Sequence, residues 1–167
     1  MQRRTHLTIL ASLMLTTGLA FAADPIKIGV TGPYTGGSSS MGVSMRDGVK
    51  LAISEINKAG GVLGRQLQAV ERDDEAKNER GVQIAQELIN KEKVVATLGF
   101  INTGVALASQ RFYQEAKIPV FNNVATGSIV TQQFKAPEFP DNYIFRNAAH
   151  DSIQAPMIVE EAIGRRG

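Results

Sequence analysis

The chain has 167 residues, 18 Lys plus Arg, 16 Asp plus Glu and no cysteine, which excludes thiol catalysis, a disulfide scaffold and cysteine-ligated metals. Arg3 and Arg4 belong to the leader described next, so 18 less these two leaves 16 basic against 16 acidic residues. The remaining chain is formally neutral, with no basic patch and interleaved aromatics of the kind that binds nucleic acid.

The chain opens "MQRRTHLTILASLMLTTGLAFAAD". A basic pair, an apolar stretch from Leu7 to Leu19 and the small-x-small triplet Ala20-Phe21-Ala22 have the three-part grammar of a secretory signal peptide. The stretch is short for a membrane span. Residues 1–22 are expected to be removed, leaving 23–167 as one domain outside the cytoplasm. His150 is the only histidine past the leader, too few for a histidine-based zinc site.

Apolar runs then alternate with helical patterns. "IKIGVT" (26–31) reads as a buried strand, and 43–59 as a helix with Val49, Ala52, Ile53 and Ile56 on one face. Gly60-Gly61 ends that helix, and 66–72 forms a second strand. Asn78 is placed to cap the next helix, whose apolar face would be Val82, Ala85, Leu88 and Ile89. "KVVATLGF" supplies a third strand over 94–99. Residues 104–116 supply a third helix, with Val105, Ala108, Phe112 and Ala116 inward. "IPVFN" is a fourth strand and "YIFRN" a fifth, separated by an irregular stretch broken by Pro137 and Pro140. Asp151 or Ser152 opens a last helix carrying Pro156 in its early turns.

Such alternation predicts an α/β fold, a doubly wound parallel sheet with strand order 2-1-3-4-5. Ligands of that architecture bind outside the carboxyl ends of the strands where the order reverses. Three loops should therefore share one crevice: "TGPYTGGSSSMG" (31–42), "FINTG" (100–104) and "NNVATG" (122–127).

The first of these has glycines at a P-loop spacing, Gly32 and Gly37, but Ser38 stands where a triphosphate site needs lysine. No G-x-G-x-x-G follows a strand. In the second loop, Asn102, Thr103 or Gly104 should sit at a helix N-terminus, where unpaired backbone N–H groups attract a small anion such as a carboxylate; the alternative is that Asn102 or Thr103 only caps the helix. The third loop repeats that pattern with Thr126, against the alternative of an ordinary turn. "VERDDEAKNERG" (70–81) is the densest charge run. Asp73, Asp74 and Glu75 read as a solvated strand-to-helix connection, in preference to a divalent-ion cluster or an acid/base pair. No G-x-S-x-G elbow and no Ser-His-Asp set is visible, so the chain is read as non-enzymatic, with no catalytic, metal or cofactor site.

Taken together, "IKIGVTGPYTG", "RDGVKLAISEINKAGGVLGRQLQAVERDD", "GFINTGVALASQ", "EAKIPVFNNVATG" and "YIFRNAAHDSIQAP" resemble the substrate-binding proteins of branched-chain amino acid ABC importers, the type I periplasmic binding proteins. The resemblance runs from about Ile26 to the end. It implies a two-lobed periplasmic protein, monomeric, that closes on a small amino acid or related carboxylate and passes it to a membrane permease. It also implies ligand contacts at Asn102 and Thr103, at Val124, Ala125 and Thr126, and at Met41, where family members often carry an aromatic. Residues 23–167 correspond to the N-terminal lobe, and the expected second lobe is absent. The chain then reads as truncated, with millimolar affinity or none. A non-functional truncated product and an extracellular sensor domain of the same fold are the alternatives.

Overall fold

A computed structural model describes residues 24–165; the expected leader lies outside them. Among the described residues no helix is long and apolar enough to cross a membrane.

Strands β1 (Ile26–Gly32), β2 (Leu67–Asp73), β3 (Ala96–Gly99), β4 (Val120–Asn122) and β5 (Ile144–Arg146) alternate with helices α1 (Ser39–Lys58), α2 (Asn78–Glu87), α3 (Thr103–Ala116) and α4 (Asp151–Val159). All strands are parallel, in the order β2-β1-β3-β4-β5. The expected architecture and strand order are therefore observed, and the order reverses between β1 and β3.

Helices α2 and α3 pack together on one sheet face, and α1 covers β1 and β2 on the other. The core lies on the α2/α3 side: Phe100, Val105, Ala106, Tyr113, Val120 and Ile144 form one cluster, and Val70, Ile84, Leu88 and Val94 another. Asn57 joins α1 to β2 by donating to the Leu67 carbonyl at 2.8 Å and accepting from the Leu67 N–H at 2.7 Å.

Several boundaries and faces differ from expectation. Helix α1 begins at Ser39, four residues early, so Ser39, Ser40 and Met41 lie in its first turn and only 33–38 remain a loop, with Ser38 at the cap position. Gly42 permits this early start: a Cβ there would lie 2.0 Å from the Pro33 carbonyl oxygen, a contact only glycine avoids. On α1 only Gly42 and Val49 are buried, so most of the face expected to be inward borders an open groove. Asn78 is the first residue of α2 and does not cap it; Lys77 holds the cap position. Helix α2 continues into a π-helical turn at Leu88–Glu92.

The buried face of α3 is Val105, Ala106, Ser109, Gln110, Tyr113 and Gln114, turned from the expected one because polar side chains there hold the irregular segment. Gln114 donates to the Asp141 carbonyl at 2.7 Å and accepts from the Tyr143 N–H at 2.9 Å. Gln110 donates to the Val130 carbonyl at 3.0 Å. Buried amides that satisfy backbone groups in this way are as well placed as apolar side chains, and apolar periodicity does not register them.

Candidate functional site

The carboxyl ends of β1, β3 and β4 bring the three loops together. Asn102 is the N-cap residue of α3, with extended dihedrals and no side-chain capping bond. Its amide instead donates to Ser38 Oγ at 3.4 Å, across to the loop after β1, while its buried Oδ1 has no partner. The first intrahelical bond runs from Ala106 N to the Asn102 carbonyl, so the amides of the first turn before it point outward, unpaired. The partial positive charge of the helix terminus concentrates there.

Thr103 stands at the start of this turn. Its Oγ1 accepts a hydrogen bond from Gly127 N at 3.2 Å, which leaves the hydroxyl proton free to donate to a ligand. Gly127 is required at this approach, since a Cβ would lie 2.5 Å from Thr103 Cγ2.

The loop after β4 is anchored by its backbone. Asn123 N donates to the Gly99 carbonyl, and Val124 N and Ala125 N both donate to the Phe100 carbonyl, at 3.3 and 2.9 Å. Ala125 is 1% exposed with its side chain in the core, so a ligand would meet only its backbone. The Thr126 carbonyl accepts from Asp151 N at 3.0 Å and from Arg146 Nη1 at 3.3 Å. Arg146 Nη2 donates to the Gly127 carbonyl at 2.6 Å. Arg146 thus holds this loop and adds a positive charge beside it, a role the sequence reading does not single out. Its only sequence signal is its position at the end of a strand.

Met41, Asn123 and Val124 line the upper end of a groove of about 910 Å³. Of the six residues expected in a site, Asn102, Thr103, Val124 and Thr126 are partly exposed and Met41 is 49% exposed. Ala125 is the one withdrawn from solvent.

Of the acidic run Asp73, Asp74 and Glu75, only Asp74 is buried; Asp73 and Glu75 are half-buried and 76–80 exposed, so the expected solvated connection holds except at Asp74. Asp73 accepts from Tyr34 N at 2.8 Å, Thr35 Oγ1 at 2.7 Å and Glu75 N at 2.9 Å. Burial raises its pKa, but these bonds outweigh burial and hold it below the ordinary value. Asp74 is 1% exposed, accepting from Ala76 N at 2.9 Å and Thr31 Oγ1 at 3.4 Å. Burial pushes its carboxyl up, and neighbouring Asp73 adds to the rise. The pair shapes the loop after β1, Asp74 from inside and Asp73 from its half-buried position. Among the described residues no cluster of His, Asp or Glu is arranged to hold a metal ion.

A family model described as periplasmic binding protein matches residues 25–167. The chain is 30% identical over 157 residues to the leucine-, isoleucine-, valine-, threonine- and alanine-binding protein of Pseudomonas aeruginosa, covering 93% of this chain and 40% of that one. Its fold is similar to the branched-chain amino acid transporter substrate binding protein LivJ from Streptococcus pneumoniae, solved with isoleucine, at a TM-score of 0.75 and 27% identity, covering 83% of this chain and 38% of that one. It is also similar, at a TM-score of 0.71 and 31% identity, to a solute binding protein of an ABC transporter from Rhodopseudomonas palustris solved with 3,4-dihydroxybenzoic acid, covering 86% and 37%. The chain therefore spans about two fifths of the length of such relatives.

Proposed function

Because the chain belongs to the periplasmic binding protein family, we propose that it is one ligand-binding lobe of an extracytoplasmic solute-binding protein serving an ABC importer. The ligand is a small amino acid or a related carboxylate, an aromatic acid included, held at the N-terminus of α3. The observation that carries this reading is Thr103: its oxygen is already occupied by Gly127 N, its proton is free, and unpaired first-turn amides lie beside it.

Thr126 and the backbone of Val124 and Ala125 complete the carboxylate and ammonium contacts, and Met41 rests on the apolar part of the ligand. Methionine adapts its shape to varied apolar groups. Relatives solved with isoleucine and with 3,4-dihydroxybenzoic acid share a carboxylate and little else, which supports a site on this lobe that reads the carboxylate. The partner is a membrane permease, the location is the periplasm, and the chemistry is capture without turnover.

A titration followed by backbone-amide NMR tests this. Isoleucine and 3,4-dihydroxybenzoate should each shift the amides of 103–105 and 125–127, at about millimolar ligand, while isoleucinamide, lacking the carboxylate, should not. Shifts with isoleucinamide equal to those with isoleucine would overturn the reading, as would no shift with either acid.

A further inference from the structure

Ser38 holds the cap position of α1 and Asn102 that of α3, and both are residue types that ordinarily turn the side chain back onto the first-turn amides. Neither does so. They bond to each other instead, Asn102 Nδ2 donating to Ser38 Oγ at 3.4 Å between the ends of the adjacent strands β1 and β3. A hydroxyl whose oxygen accepts keeps its proton to donate, so Ser38 stands as Thr103 does, with one acceptor position used and its proton available. Asn102 links the two hydroxyls: it precedes Thr103 in the chain, and its amide reaches Ser38. The bond is long for an N–H···O pair, and both of its residues are partly exposed.

The loop that carries Ser38 is open at its tip. Thr35, Gly36 and Gly37 are exposed, and a Cβ on either glycine would meet nothing within 4 Å. It is tied at its base. The Tyr34 hydroxyl donates to the Val30 carbonyl at 2.9 Å, and Arg46 lies over the Tyr34 ring at 5.2 Å. Asp73, at the end of β2, reaches further along the loop, accepting from Tyr34 N at 2.8 Å and from Thr35 Oγ1 at 2.7 Å. Its third bond, from Glu75 N at 2.9 Å, fixes the carboxylate itself. Asp73 is therefore the side chain that sets where the loop stands as it approaches Ser38.

We propose that Ser38 is a further ligand-contact residue, donating its proton to the carboxylate held at α3, and that Asp73 is the positioning residue that keeps it there. This rests on carboxylate capture at Thr103 and adds how the carboxylate is told from its amide. A carboxylate has two acceptor oxygens, one for Thr103 and one for Ser38. A carboxamide has one acceptor oxygen and can satisfy only one of the two donors. A ligand oxygen also completes the Ser38–Asn102 contact, which is long on its own.

The test follows isoleucine through the amides of 103–105 and 125–127, in the whole chain carrying Ser38→Ala, Asp73→Ala or both. Ser38→Ala removes no helix cap, so its far-ultraviolet circular dichroism and urea midpoint should stay near wild type. Each single substitution should weaken isoleucine about three- to tenfold. The pair should bind no more weakly than Asp73→Ala alone, because a displaced hydroxyl has nothing left to lose. Thr35→Val removes one bond to Asp73 and should act in the same direction by less; paired with Ser38→Ala it serves the same cycle should Asp73→Ala not fold. Asn57→Ala loosens the far end of α1 from β2 and should lower stability without changing affinity. Wild-type affinity in Ser38→Ala, losses that multiply in the pair, or an equal loss in Asn57→Ala would each overturn the proposal and leave carboxylate capture standing. A wild type with no carboxylate-dependent shift would overturn both.

Discussion

The N–H of Gly127 donates to Thr103 Oγ1 at 3.2 Å, joining the loop after β4 to the first turn of α3. This bond uses one acceptor position of the Thr103 hydroxyl and leaves its proton available to donate. Thr103→Val keeps the shape and removes the acceptor, and should cost about 0.5–1.5 kcal/mol of stability in urea unfolding. It should also erase the carboxylate-dependent amide shifts. Gly127→Ala drives a methyl against Thr103 Cγ2 and should cost about 1–3 kcal/mol. Wild-type stability in both variants would show that the two loops are not coupled.

Arg146 holds the other side of the same loop through the carbonyls of Thr126 and Gly127. Arg146→Met preserves the aliphatic stem and leaves both carbonyls without their cationic donor. A loss of about 1–3 kcal/mol is expected. Amide hydrogen exchange should report it as at least a tenfold drop in protection at 124–127. Unchanged protection there would mean that the backbone bonds to Gly99 and Phe100 suffice alone.

Asp73 and Asp74 are adjacent and titrate with opposite signs. Asp73 has its folded pKa lowered, so its contribution is present above the unfolded value near 3.9 and lost as pH falls through the folded value. Asp74 has its folded pKa raised, so the protonated form favours folding below about 3.9 and that advantage is lost as pH rises through the folded value. Asp73→Asn should therefore be clearly less stable than wild type at neutral pH, with the gap closing in acid. Asp74→Asn, which retains an oxygen for Ala76 N, should match or exceed wild type at neutral pH and lose that advantage in acid. Denaturant midpoints across the carboxylate range check both, and parallel pH profiles for the two variants would refute the assignment.

Gly42 sits where α1 crosses the Pro33 carbonyl. Gly42→Ala improves intrinsic helix propensity by up to about 1 kcal/mol, yet the contact should dominate and make the variant about 2–4 kcal/mol less stable. Gly48→Ala, on the same helix in open space, should instead be neutral or stabilising. The pair, compared by thermal unfolding, separates helix propensity from packing.

The order of elements, the parallel sheet and the convergence of three loops were legible in the sequence. A period near two against one near 3.6 is a local property, and glycine or proline punctuates it wherever it changes. The placement of Thr103 and Thr126 in the loops at the carboxyl ends of β3 and β4 was legible for the same reason. Local patterning does not encode what lies opposite a side chain, and that is where the tertiary structure decided the outcome. Gln110 and Gln114 are buried because the 130–143 segment returns to them. Asp74 is held inside, and Asp73 is tied down beside it, because the loop after β1 folds back over the end of β2. Val49 alone of its expected face is enclosed, because among the described residues no helix covers β3 and β4 on the side where α1 packs. Each is set by contacts between residues distant in the chain, whose energies of a few kcal/mol override a periodicity that records only average solvent exposure.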